Sequence, residues 1–133
     1  DVWGASSRPG QDVSHGSGVI AYVVTAHDLG IDWTRQDIAR FVELLDRVVW
    51  PRENRVTEFV DGSGTGNGWL ADGWVKLGRY DADLQRRLER HGVQNDQFLA
   101  NGALNAALLL CPTTPAAKAP PACDPQPPPA GAP

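Results

Sequence analysis

The chain has 133 residues, 41% of them hydrophobic, and a formal net charge of −4, which suits one domain built on one modest core. Charges of both signs are interspersed and leave no basic footprint, so nucleic acid is excluded as an expected partner. No apolar run nears the roughly 18 residues that a membrane-spanning helix needs, so no membrane partner is expected either. Nine of the eleven prolines fall within residues 112–133, which predicts an irregular lead over 1–11, a helical domain over 12–111 and a disordered Pro/Ala-rich tail over 112–133. The start Asp1-Val2-Trp3 has neither the basic nor the apolar region of a signal peptide and points to a mature or truncated product.

From Ser14 the apolar residues Val19, Ile20, Val23, Val24 and Ala26 recur at helical spacing as far as Gly30, a left-handed terminator. Thr34 and Asp37 then form the cap and third-position acid of a second helix, whose stripe of Ile38, Phe41, Val42, Leu45 and Val49 is expected to be the most buried in the protein. Pro51 ends that helix. A long connection over 52–68 contains a short extended piece, 55–60, and the run DGSGTGNG. The pattern predicts a third helix from Trp69 to Lys76, broken at Gly78, with Asp81 capping a continuation that carries Leu84 and Leu88. A fourth helix runs from Asn95 to Cys111. The fold class is therefore all-α, about four helices as two antiparallel αα-hairpins.

Helices joined by short loops run antiparallel. The start of the first helix and the 52–68 connection then share one end, called the upper end here, and the Gly30 and Gly92 loops share the other. Asp12, His15, Asp61 and Trp69 should gather at the upper end, with Arg52 and Arg55 on the same connection. Trp74, in register with Leu70 and Leu77, reads as core, whereas Trp69 reads as a ligand contact whose flat face suits a sugar ring.

Asp12 and His15 stand three residues apart at a helix start. The positive end of the helix dipole disfavours imidazolium there, so a neutral His15 is a candidate base, and Asp12 is placed to orient it. The plainer alternative makes Asp12 an N-cap and His15 a first-turn polar residue. His27 and His91 lie toward helix C-termini, where a charged imidazole is favoured. DGSGTGNGWLAD lacks the Lys of a phosphate-binding P-loop. Counted as a calcium loop it offers only two carboxylates, Asp61 and Asp72, and Gly68 at an apolar position. A flexible loop, with no metal and no cofactor, is the expectation. Cys111 and Cys123 are either a bridge formed in an oxidising compartment or two free thiols.

The order QDVSHG, an apolar helix, a Gly turn, WTRQDIARFVELLDRVVW, a loop with FVDGSG and then GWLADGWVKLGRYD resembles the C-terminal helical hairpins of α/α-toroid proteins. These multi-hairpin barrels occur among polysaccharide lyases, uronate-processing enzymes and related glycosidases. The resemblance covers about residues 10–90. It implies a cleft lined by helix ends, with Asp12 and His15 on its rim or floor, Asp61, Trp69 and Trp74 in the segment that follows, and a polysaccharide or oligosaccharide as partner. If catalytic, the chain is expected to perform lyase-like β-elimination on an acidic polysaccharide. His15 would then be the base or the group that neutralises the sugar carboxylate, and Arg52 or Arg55 would hold that carboxylate. A secreted or periplasmic location goes with such a substrate. A complete toroid has more hairpins than two, so the chain is expected to be the C-terminal portion of a longer one or to pack against another subunit. The alternative function is a noncatalytic helical module that binds sugar or packs against a partner.

Overall fold

The computed structural model describes residues 10–110; the expectations for the lead before Gly10, for Cys111 and Cys123 and for the proline-rich tail fall outside them. Helix α1 spans Val13–Asp28, α2 Arg35–Leu44, α3 Asp72–Lys76, α4 Ala82–His91 and α5 Asp96–Leu110. The described residues thus form an all-α body, with isolated β-bridges in place of strands. No helix among them is long and apolar enough to cross a membrane.

Local chemistry sets most helix boundaries. Asp12 is extended (φ −64°, ψ 152°), and its carboxylate accepts the His15 backbone N–H at the start of α1. Gly30, at φ +72°, lets the chain leave that helix in the left-handed region. Thr34 and Asp37 form a reciprocal capping box on α2, Asp81 accepts the Asp83 and Leu84 N–H groups at α4, and Asn95 accepts the Phe98 N–H at the first turn of α5. Helix α3 begins at Asp72, three residues later than Trp69. Its cap residue, Ala71, has no side-chain acceptor to offer.

Helix α2 widens into one π-turn over Leu45–Val49, closed by the Trp50 N–H on the Leu45 carbonyl at 2.7 Å. A turn closed over five residues sets Trp50 beneath Leu45, so Leu45, Val49 and Trp50 all face the core and are 0%, 0% and 1% exposed. The expected stripe nevertheless divides. Ile38, Leu45 and Val49 are enclosed, whereas Phe41 and Val42 are only half-buried.

The second departure is a reversal of the chain. Instead of a helix that continues past Gly78, a 3₁₀ turn over Leu77–Tyr80 ends at an extended Asp81, and α4 runs back the other way. Tyr80 donates to the Asp28 carboxylate at the end of α1, while His91 packs edge-on against Trp50 at the end of α2, 4.9 Å between ring centres. The Gly92 loop therefore lies at the upper end, opposite to expectation. What held the turn is tertiary: Gly78 fits under Gln85 and Asn105, where any Cβ would sit 2.5 Å from the Gln85 side-chain oxygen.

Helix α3 lies between α1 and α5. The Gly73 N–H donates to Ser17 Oγ at 3.0 Å, and a Cβ at Gly73 would meet the Ser17 carbonyl at 2.0 Å, so this approach of α3 to α1 requires glycine. On the other side Asn101 reaches Asp72 and Asn105 reaches the Val75 carbonyl. Trp74 is core, as expected, 1% exposed with its indole N–H on the Val13 carbonyl at 2.8 Å.

Candidate functional site at the start of the first helix

The 52–68 connection is threaded against the start of α1. The Val13 N–H donates to the Glu58 carbonyl and the Val60 N–H to the Gln11 carbonyl, each at 3.0 Å, and the Thr57 N–H reaches the Val49 carbonyl at 2.8 Å. Its glycine-rich part is held from inside. Glu58 Oε2 accepts the Thr65 and Gly66 N–H groups, and Asp61 Oδ1 accepts both the N–H and the hydroxyl of Ser63. Of the oxygens that could be counted toward a calcium loop, those of Asp61 and Ser63 are thereby engaged with each other, and no three His, Cys, Asp or Glu side chains gather as metal ligands among the described residues.

On this platform Asp12 does two things. One carboxylate oxygen takes the His15 backbone N–H at 3.0 Å and the other takes ring Nδ1 at 2.6 Å. Those bonds, the backbone one foremost, hold the Asp12 carboxyl below its ordinary range. A carboxylate that accepts from Nδ1 fixes the proton there and leaves Nε2 as the basic nitrogen. The His15 side chain is 78% exposed, so it points to solvent and not into the core.

The other candidates occupy two positions around this dyad. Asp61 stands on the same edge, since it also accepts the Gly10 N–H at 3.3 Å, and its hydrogen bonds with Ser63 lower its pKa. Trp69 is 48% exposed and follows Gly68, whose N–H donates to the Val56 carbonyl. Arg52 and Arg55 bracket a tight turn, closed at 3.1 Å by the Arg55 N–H on the Arg52 carbonyl, and both are exposed. Among the described residues no hydrogen bond or ion pair links Trp69, Arg52 or Arg55 to His15. The two arginines lie at the other end of the extended piece from Phe59, which bridges to Asp12.

Of the two remaining histidines, His91 differs from expectation. His27 Nδ1 bonds to the Trp33 carbonyl at 2.8 Å and so closes the loop after α1. Burial, followed by the nearby Arg87 charge, pushes the His91 pKa down, so the charged ring is disfavoured despite its place at a helix C-terminus. A further cluster lies at the lower end. Arg79, 9% exposed, spans Asp28 and Asn105, and Tyr80 is raised above its ordinary pKa by burial and by its bond to Asp28.

The chain matches none of the protein families, curated proteins or solved structures with which it was compared.

Proposed function

We propose that the chain is a portion of an α/α-toroid carbohydrate-active protein that binds an acidic polysaccharide at its upper end. The observation that carries the proposal is the Asp12–His15 dyad: an oriented, solvent-open imidazole seated on a helix start beside an internally hydrogen-bonded loop. Oriented imidazoles of this kind suit general-base chemistry. If the polysaccharide is cleaved, His15 Nε2 takes the proton next to the uronate carboxyl group, a carbon–carbon double bond forms, and the glycosidic oxygen leaves with its electron pair and is protonated. Arg52 or Arg55, at the other end of the extended piece from the dyad, would hold the carboxylate of a neighbouring sugar, and Trp69 would stack on a sugar ring. Such a protein would meet its substrate when secreted or periplasmic.

Support for the toroid comes from helix direction and charge. Start meets start where Gly73 touches Ser17, and end meets end where Tyr80 touches Asp28, so α1 and α3 run the same way. Asn101 and Asn105 pair with Asp72 and Val75 in the same sense, which adds α5. Helices α2 and α4 run opposite to these. Two layers of oppositely running helices are what concentric rings of hairpins contain.

A noncatalytic packing module is the second reading, and one observation favours it. Tyr22 on α1, Leu29 just after it, and Leu99 and Leu110 on α5 are 68%, 69%, 56% and 74% exposed, so both edges of the apolar layer lack a covering partner among the described residues. The test is titration of the chain with oligogalacturonides, reading tryptophan fluorescence for binding and the ultraviolet absorbance of an unsaturated uronate for cleavage. Saturable binding that His15→Ala weakens supports the polysaccharide site. No binding, together with self-association through the exposed edges, supports the packing module.

A further inference from the structure

A second site is formed on the opposite layer, away from His15. Between α2 with its π-turn and α4 runs a groove of about 490 Å³, floored by Val42 and Leu84, a volume in the range of small-molecule sites. It continues past Arg87 and Arg90 into a smaller hollow of about 120 Å³ beside Trp50 and His91. On α4, positions 83, 86, 87 and 90 fall on one helix face and line this groove; across it stand Glu43, Asp46 and Arg47.

The formal charges of the lining nearly balance, yet their engagement does not. Asp81 is committed to two backbone N–H groups of α4, Asp83 to Arg86 and Asp46 to Arg87 at 2.5 Å. Arg87 is a built element of the site. Its side chain is 14% exposed, donates to the Trp50 carbonyl, and lies 3.9 Å over the Trp50 ring. Arg90 has only a 3.4 Å contact with Glu53, both side chains more than 60% exposed, a pair that contributes little. Arg47 makes no ion pair or hydrogen bond among the described residues. Each guanidinium carries five donors, so Arg47 and Arg90 bring to the groove N–H groups that the chain leaves unbonded or weakly paired, against one uncommitted carboxylate, Glu43. The π-turn strengthens the case, since such turns recur at functional sites and this one carries Asp46 and Arg47 to the groove.

We infer that the groove between α2 and α4 binds a small polyanion, a ligand with two or more carboxylate or phosphate groups, through Arg47 and Arg90, with Arg87 fixed between them. Bidentate guanidinium pairing suits both groups equally. The site is independent of the Asp12–His15 dyad.

Calorimetric titration at low ionic strength with citrate, and separately with fructose 1,6-bisphosphate, tests it. Binding of either at one site per chain is expected, weakening as sodium chloride is added. Citrate alone marks a carboxylate site, the bisphosphate alone a phosphate site. The double variant Arg47→Ala/Arg90→Ala should lower the affinity at least tenfold with the unfolding temperature of the free protein unchanged, because both side chains are exposed. Glu43→Gln, which removes the uncommitted carboxylate, should tighten binding severalfold, and His15→Ala should leave it unchanged. Failure of both probes to bind, retention of binding in the double arginine variant, or its loss in His15→Ala would overturn the inference.

Discussion

Helices α1 and α5 differ from α2 and α4 in one respect that organises the molecule. Between them α1 and α5 hold 31 residues with one acidic residue each, Asp28 and Asp96, and no Lys or Arg. Helices α2 and α4 are shorter, 10 residues each, yet carry charges throughout. A helix that is apolar all round belongs in an interior, whereas a helix with one polar face belongs at a surface. The apolar layer therefore calls for neighbours on both flanks, and the charged layer supplies polar grooves to solvent. Rigidity follows the same division, since the glycine-mediated contact of α1 with α3 is backbone against side chain at close range, while α2 and α4 meet through long arginines.

Variants that break this comparison can be ordered by the size of their effect. Trp74→Ala, in the middle of the apolar layer, should destabilise the protein by about 3–5 kcal/mol, read as a lower urea midpoint, because it empties an enclosed site and removes the indole bond to the Val13 carbonyl. Thr34→Ala, at the start of the charged layer, removes one half of the capping box and should cost about 0.5–2 kcal/mol in the same assay.

Acidification should act through the charged layer first. The His91 pKa lies below its ordinary 6.5 in the folded state, so as pH falls through 6.5 the unfolded chain takes up a proton that the folded chain resists, and stability drops with it. Between pH 7 and 5, His91→Gln should flatten the decline in unfolding temperature. The depressed carboxyls Asp12, Asp37 and Asp61 act later. Their stabilisation is present above the ordinary 3.8 and is lost as pH falls through that value toward their folded pKa values. The smallest effect is expected at the open flanks. Tyr22→Glu and Leu104→Glu should each change stability by less than about 0.5 kcal/mol while reducing any self-association seen by sedimentation, because neither side chain is packed within the chain.

How much of this was legible depends on the range of the forces involved. Four helix starts follow from residues within three positions of one another: Asp12 with His15, Thr34 with Asp37, Asp81 with Leu84, and Asn95 with Phe98. The Asp12–His15 bond is of the same local kind, which is why the sequence could point to it. Longer-range features were not legible. Asp81 caps a helix equally well whether the chain continues or turns back, and only the fit of Gly78 under Gln85 and Asn105 decides for the turn. A regular 3.6-residue period puts Phe41 in the core, but it is half-buried and edge-on to Trp33, and nothing local announces the π-turn after Leu44. The groove between α2 and α4 depends on both features. Its one local sign is the spacing of Asp83, Arg86, Arg87 and Arg90 on a single helix face.

The Asp12–His15 dyad either serves a ligand or merely caps a helix. Comparing His15→Ala with Asp12→Asn in oligogalacturonide binding and in urea unfolding decides between them. A ligand site predicts that His15→Ala loses at least tenfold in affinity with helicity and urea midpoint nearly unchanged, and that Asp12→Asn loses less, because asparagine still caps the helix through its one side-chain oxygen and gives up only the charge and the second bond, to Nδ1. Oligogalacturonide affinity equal to that of the unaltered chain in His15→Ala, or no affinity in either, would contradict it and leave the dyad a helix cap.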